Sequence, residues 1–172
     1  MPYTTLPELP AEVGAVQVLA RLVDGLAFRY RWATEDLRPE DVAFRPTPDA
    51  FTLGEILEHV ARMMEWIERA LTLDKGEENE DIVPPESHED TRRMTLATLE
   101  RIRARFLALG DSGLGDVRIV GSSRPGDDRP FWNMINGPLA DALTHVGQVN
   151  TYRRMTGNPT PRADVFRGRP PA

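Results

Sequence analysis

Asp141-Ala142-Leu143-Thr144-His145-Val146-Gly147-Gln148, inside the segment Asn136 to Arg154, carries the densest chemistry in the chain. Read as a helix, it stacks Asp141 and His145 on one face, one turn apart, with Gln148 and Tyr152 on the same stripe. A carboxylate and an imidazole so placed can share one divalent cation. A third donor must come from elsewhere, and the chain holds three histidines, His59, His88 and His145. His59 lies in a second strongly helical stretch and is the natural partner. The same residues also have a purely structural reading. A histidine on an apolar helix face is commonly a buried, hydrogen-bonded side chain, with Asp141 as its partner or as an early-turn acid favoured by the helix dipole.

That second stretch begins at Thr52-Leu53-Gly54-Glu55, a capping box with Thr52 as N-cap, Glu55 three residues on and Phe51 as the apolar residue before it. The helix is expected to run to about Asp74, with Ile56, His59, Met63, Trp66 or Ile67, and Ala70 facing inward. An imidazole buried there without a partner would cost about 1–3 kcal/mol, and Glu55 lies one turn before His59 on the same side. Upstream, Val13, Val16, Ala20, Val23, Ala27, Tyr30 and Thr34 recur at spacings of three and four. They predict an amphipathic helix from Ala11 to about Asp36, with Pro10 in its first turn and Arg38-Pro39 as its stop. Residues 1–9 form an irregular arm. Arg38 to Ala50 reads as an ordered connector anchored by Phe44.

A third helix is expected from Ser87 to about Leu109, ended by Gly110. Its arginines at 92, 93, 101, 103 and 105 alternate with the apolar stripe and face acids, which marks a solvated face rather than a nucleic-acid patch. The acidic stretch between Asp74 and Asp90 reads as a solvated crossover, with His88 exposed at its edge. Asp111 to Arg129 is a long connection in which Val117 to Val120 can form one short strand. Connections this long are uncommon unless they cover something, so it is expected to drape over the site. The last helix is clear from about Pro138 to Thr156, or starts nearer Phe131 with a kink at Gly137-Pro138; Gly157 caps it. A Pro- and Arg-rich surface tail, 160–172, follows.

Four helices and almost no strand predict an all-α fold, a four-helix bundle with long crossover connections, in a single domain spanning 1–172. Such bundles build metal sites from side chains on facing helices. The chain has no cysteine, which excludes disulfides, cysteine-zinc sites and thiol nucleophiles. Its net charge of -6 argues against a duplex nucleic-acid partner. No apolar run approaches the ~18 residues of a membrane span, and the N-terminus lacks the features of a signal peptide, so a cytoplasmic protein is expected.

The segment Phe51-Thr52-Leu53-Gly54-Glu55-Ile56-Leu57-Glu58-His59 resembles the second helix of the DinB-like family, the damage-inducible four-helix-bundle family. Asn136 to Gln148 resembles that family's last helix, where a His is followed four residues later by another His and then by Gly-Gln. The family's three-His metal site maps onto His59, position 141 and His145; the sequence departs from the pattern at Asp141. The resemblance implies a homodimer that binds a divalent metal, nickel or zinc first and manganese or iron next, at His59, Asp141 and His145. It also implies a small-molecule substrate, since some relatives transfer low-molecular-weight thiols or isomerise small molecules. The expected function is therefore a metal-dependent enzyme, a transferase or hydrolase, with Glu55 bonded to His59 and with Gln148 and Tyr152 orienting what binds. The competing reading is a metal-free stress-response or interaction module, in which the two histidines and Asp141 form a buried polar network.

Overall fold

The structure, a computed structural model, describes residues 1–72, 83, 85–120 and 128–172. The acidic crossover from Lys75 and the tip of the 111–129 connection lie largely outside the described residues. The fold is mostly helical with little strand. Helix α1 spans Ala15–Ala33, α2 Pro39–Val42, α3 Leu53–Ala70 and α4 His88–Gly113. A single turn, α5 at Trp132–Met134, leads through a widened turn at Ile135–Leu139 into α6, Ala140–Met155. Among the described residues the long helices are α1, α3, α4 and α6. Both α1 and α3 pack against α4 and α6. The core between them is aliphatic and aromatic, built from residues such as Val23, Ile56, Leu99, Phe106 and Val149. Among the described residues, no helix is long and apolar enough to cross a membrane.

The boundaries follow from local chemistry. α1 starts at Ala15, later than the apolar spacing predicts, because Gly14 is extended and Val13 stands in solvent. Its first free amides are satisfied from across the fold: Asp111 accepts from Ala15 N at 3.1 Å and from Val16 N at 2.8 Å. α3 begins on the expected capping box, with Glu55 N donating to Thr52 Oγ1 and Thr52 N donating to the Glu55 carboxylate. Gly110 takes φ 69 and ψ 165, which breaks α4; one further turn then runs to Gly113.

The connector between α1 and α3 contains α2, which the proline spacing did not suggest. Phe44 anchors it as expected, stacking edge-on against Tyr152 of α6 with 5.6 Å between ring centres. Beneath it lies Asp41, fully buried and bonded to Arg38, Thr156 and Asn158. Arg153, also buried, donates to the carbonyls of Ala33, Glu35 and Asn158. These bonds tie the ends of α1 and α6 to the connector.

The 111–129 connection holds two strands rather than one. β1, Arg118–Val120, pairs antiparallel with β2, Asp128–Pro130, so that Ile119 stands opposite Arg129 and Arg118 opposite Pro130. Successive strand residues face opposite ways. The Ile119–Arg129 pair therefore looks towards α3 and the start of α6, and the Arg118–Pro130 pair towards the start of α1. The N-terminal arm and the tail meet where Leu6 N donates to Gly168 O at 3.0 Å.

Candidate metal centre

His59 comes from the second turn of α3, and Asp141 and His145 come from the first two turns of α6. α6 can start cleanly at Ala140 because the chain breaks helical geometry at Gly137 (φ -96, ψ -112) and Pro138 follows it. That break aims Asp141 and His145 at α3. One potential donor atom from each of His59, Asp141 and His145 lies within 4.8 Å of the others. His59 Nε2 is 3.4 Å, and His145 Nε2 3.5 Å, from one oxygen, Asp141 Oδ2. The imidazole rings meet edge to face, with centres 4.9 Å apart.

His145 is buried, whereas the His59 and Asp141 side chains are 40% and 48% exposed. The site is thus closed on the core side and open on the other. His59 sits at the rim of the apolar face rather than in its middle, with Phe51 on its outer side at 6.3 Å between ring centres.

The spacing bears on what the group can hold. Charge-assisted hydrogen bonds to a carboxylate run at about 2.7–2.9 Å. Two ligands at ~2.1 Å from a tetrahedral cation stand about 3.4 Å apart. The two imidazole–carboxylate distances match the second figure. His145 Nδ1 lies 2.7 Å from Gln148 Oε1, an acceptor, so Nδ1 donates there and Nε2 is the nitrogen turned towards Asp141. Two neutral imidazoles and one carboxylate are a competent donor set for zinc, nickel, manganese or iron. The group can therefore hold a metal ion.

The remaining expected site residues divide. Gln148 takes the orienting position beside His145. Glu55 does not reach His59. Its carboxylate closes the capping box at Thr52 N, 2.6 Å away, with Arg45 beside it, and those bonds hold it below the usual glutamate range. Tyr152 is buried against Phe44 in the core, two turns along α6 from His145. His88 is half-buried at the start of α4 and outside the cluster.

A cavity of about 460 Å3 opens beside His59 and Asp141. Its apolar wall includes Met63, Trp66, Ile119 and Pro138, and its polar wall includes Arg129, Asn133 and Asn136. The 111–129 connection therefore does reach the site, through Ile119 and Arg129. The sequence reading missed Asn133 and Asn136. Their spacing of three, just before the Gly137 kink, was the available signal. Arg129 gave none, because only the strand register brings it here. Compared with protein-family models, curated proteins and solved structures, the chain matches none.

Proposed function

We propose that this chain is a DinB-like four-helix-bundle protein that holds a divalent metal through His59, Asp141 and His145, and that it acts as a metal-dependent enzyme, a transferase or hydrolase, on a small molecule. The observation that carries this reading is the convergence of two imidazole nitrogens on one carboxylate oxygen at 3.4 and 3.5 Å. Three protein donors leave coordination positions open towards the cavity. A metal bound there would supply Lewis acidity to a water, hydroxyl or thiol placed beside it. Gln148 fixes the tautomer and ring orientation of His145. Asp141 supplies the negative charge that offsets the cation, and Trp66 and Met63 exclude water from one wall. In the same reading two copies of the chain associate as a homodimer.

The test uses untagged protein with Asp141→Ala, Asp141→His and His59→Ala. Wild type should carry close to one equivalent of divalent metal by elemental analysis, and both Ala variants far less. Asp141→His should still bind, through an all-imidazole shell. Because metal binds only the folded state, chelator should lower the wild-type melting temperature and leave the Ala variants almost unchanged. A wild type that takes up neither zinc, nickel nor manganese and ignores chelator, with Asp141→His destabilised, would instead fit the metal-free polar network.

A further inference from the structure

The geometry points to a small organic anion with an apolar body as the substrate class of this site, its acid group held by Arg129, Asn133 and Asn136 and its body lying on Trp66, Met63 and Ile119. The inference rests on the metal reading for the charge of the cavity and on the fold for its shape.

Four observations carry it. The first is size: about 460 Å3 falls within the range of small-molecule sites. The second is the division of the wall. Of the apolar residues, Met63 and Trp66 come from α3 and Ile119 from β1. Of the polar ones, Arg129 comes from β2, Asn133 from α5 and Asn136 from the widened turn before α6. A ligand is thereby oriented end to end.

The third is charge. Among the described residues lining the cavity, Asp141 is the one carboxylate and Arg129 the one guanidinium. A divalent cation at the histidines would outweigh the charge of Asp141 beside it, in a chain whose overall charge is -6. An anion is favoured there and a cation is repelled.

The fourth is polar capacity. Asn133 and Asn136 lie three residues apart, so their side chains share a face. Among the described residues neither carboxamide has a hydrogen-bond partner, and both line the cavity. Each offers two N–H donors to an acid oxygen. Arg129 adds a planar donor fork suited to a carboxylate or phosphate. It is carried into place by its cross-strand pairing with Ile119, which gives the opposite wall its apolar surface.

The probes are phenylacetate, its neutral isostere phenylacetamide, and phenylphosphate, which separates carboxylate from phosphate recognition. Binding to zinc-loaded and chelator-stripped protein is measured by calorimetry, with zinc content determined in parallel. At least one of the two acids should bind loaded wild type at least tenfold more tightly than the amide. Arg129→Gln should reduce that preference to within about twofold without changing zinc content, while Arg129→Lys should keep most of it. Asn133→Asp, which puts a carboxylate in the seat, should reverse it. Equal binding of acids and amide to zinc-loaded protein, or no detectable binding of any probe, would overturn the inference while leaving the metal reading intact. If zinc is not taken up at all, the metal reading fails by itself. The anion seat is then judged on the stripped protein: a preference abolished by Arg129→Gln supports it, and no preference refutes it.

Discussion

The carboxamide of Gln148 decides which nitrogen of His145 is free. By accepting from Nδ1 at 2.7 Å it leaves Nε2 as the nitrogen turned towards Asp141 and His59. Outer partners of this kind are worth about 10–100-fold in metal affinity. Gln148→Leu should therefore weaken zinc binding by about that factor with little change in fold, since Gln148 is exposed. Gln148→Glu, still an acceptor at the same place, should stay near wild type. Competition with a chromophoric chelator measures both, and equal affinities for Leu and Gln would remove Gln148 from the site. This residue was legible in the sequence because His145 and Gln148 are three apart on one helix, where helical geometry alone makes them neighbours. His59 was legible only as a histidine on an otherwise apolar stripe, and its contact with Asp141 spans 82 residues. Glu55 was misplaced because two partners lay within its reach. The free amide at Thr52 is fixed by the helix start, and it takes the carboxylate before the side chain of His59 can.

At the scale of elements, the long helices could be read from apolar spacing and caps, but what locks their ends together could not. Asp111 caps α1 from the far end of α4, and Arg153 of α6 closes the carbonyls at the end of α1. Neither bond has a local sequence signal. Asp41 is the sharpest case. The Arg38 guanidinium, helped by Thr156 and Asn158, holds its carboxyl well below the usual carboxylate range despite burial. A depressed folded-state pKa contributes stability that is present above the unfolded-state value, 3.8, and lost as pH falls below it. Asp41→Asn lacks that contribution at every pH. Its deficit against wild type should be about 1.5–3 kcal/mol at neutral pH, as for a buried charged acceptor deprived of its hydrogen bonds. The deficit should narrow steadily below about pH 4. Urea titrations at pH 7 and about pH 3 give the two values. A gap that does not change with pH would show that the charge of Asp41 is not what stabilises this corner.

For the whole molecule, the two faces of the β1–β2 ribbon have different fates. One lines the cavity beside His59 and Asp141. The other, with Trp132, Val13 and Val18, borders an apolar groove of about 710 Å3. Trp32 packs with Phe28 and Arg31, and Trp66 lines the site cavity. Trp132 by contrast is 72% exposed, with Val13 at 94% and Val18 at 56% beside the same groove. Clustered apolar exposure of this kind marks interaction surfaces in soluble proteins, and aromatic residues are enriched in interface cores. In the proposed homodimer this is the face that a second copy would cover. The wild-type chain should then sediment as a dimer at micromolar concentration. Trp132→Glu, which sets a like charge into each half of a self-facing contact, should sediment as a monomer with its fold and its metal content retained, because Trp132 lies on the other side of the ribbon from His59. A dimer that survives Trp132→Glu would move the contact to another face. A wild type found only at monomer mass would leave Trp132 with no partner from its own kind.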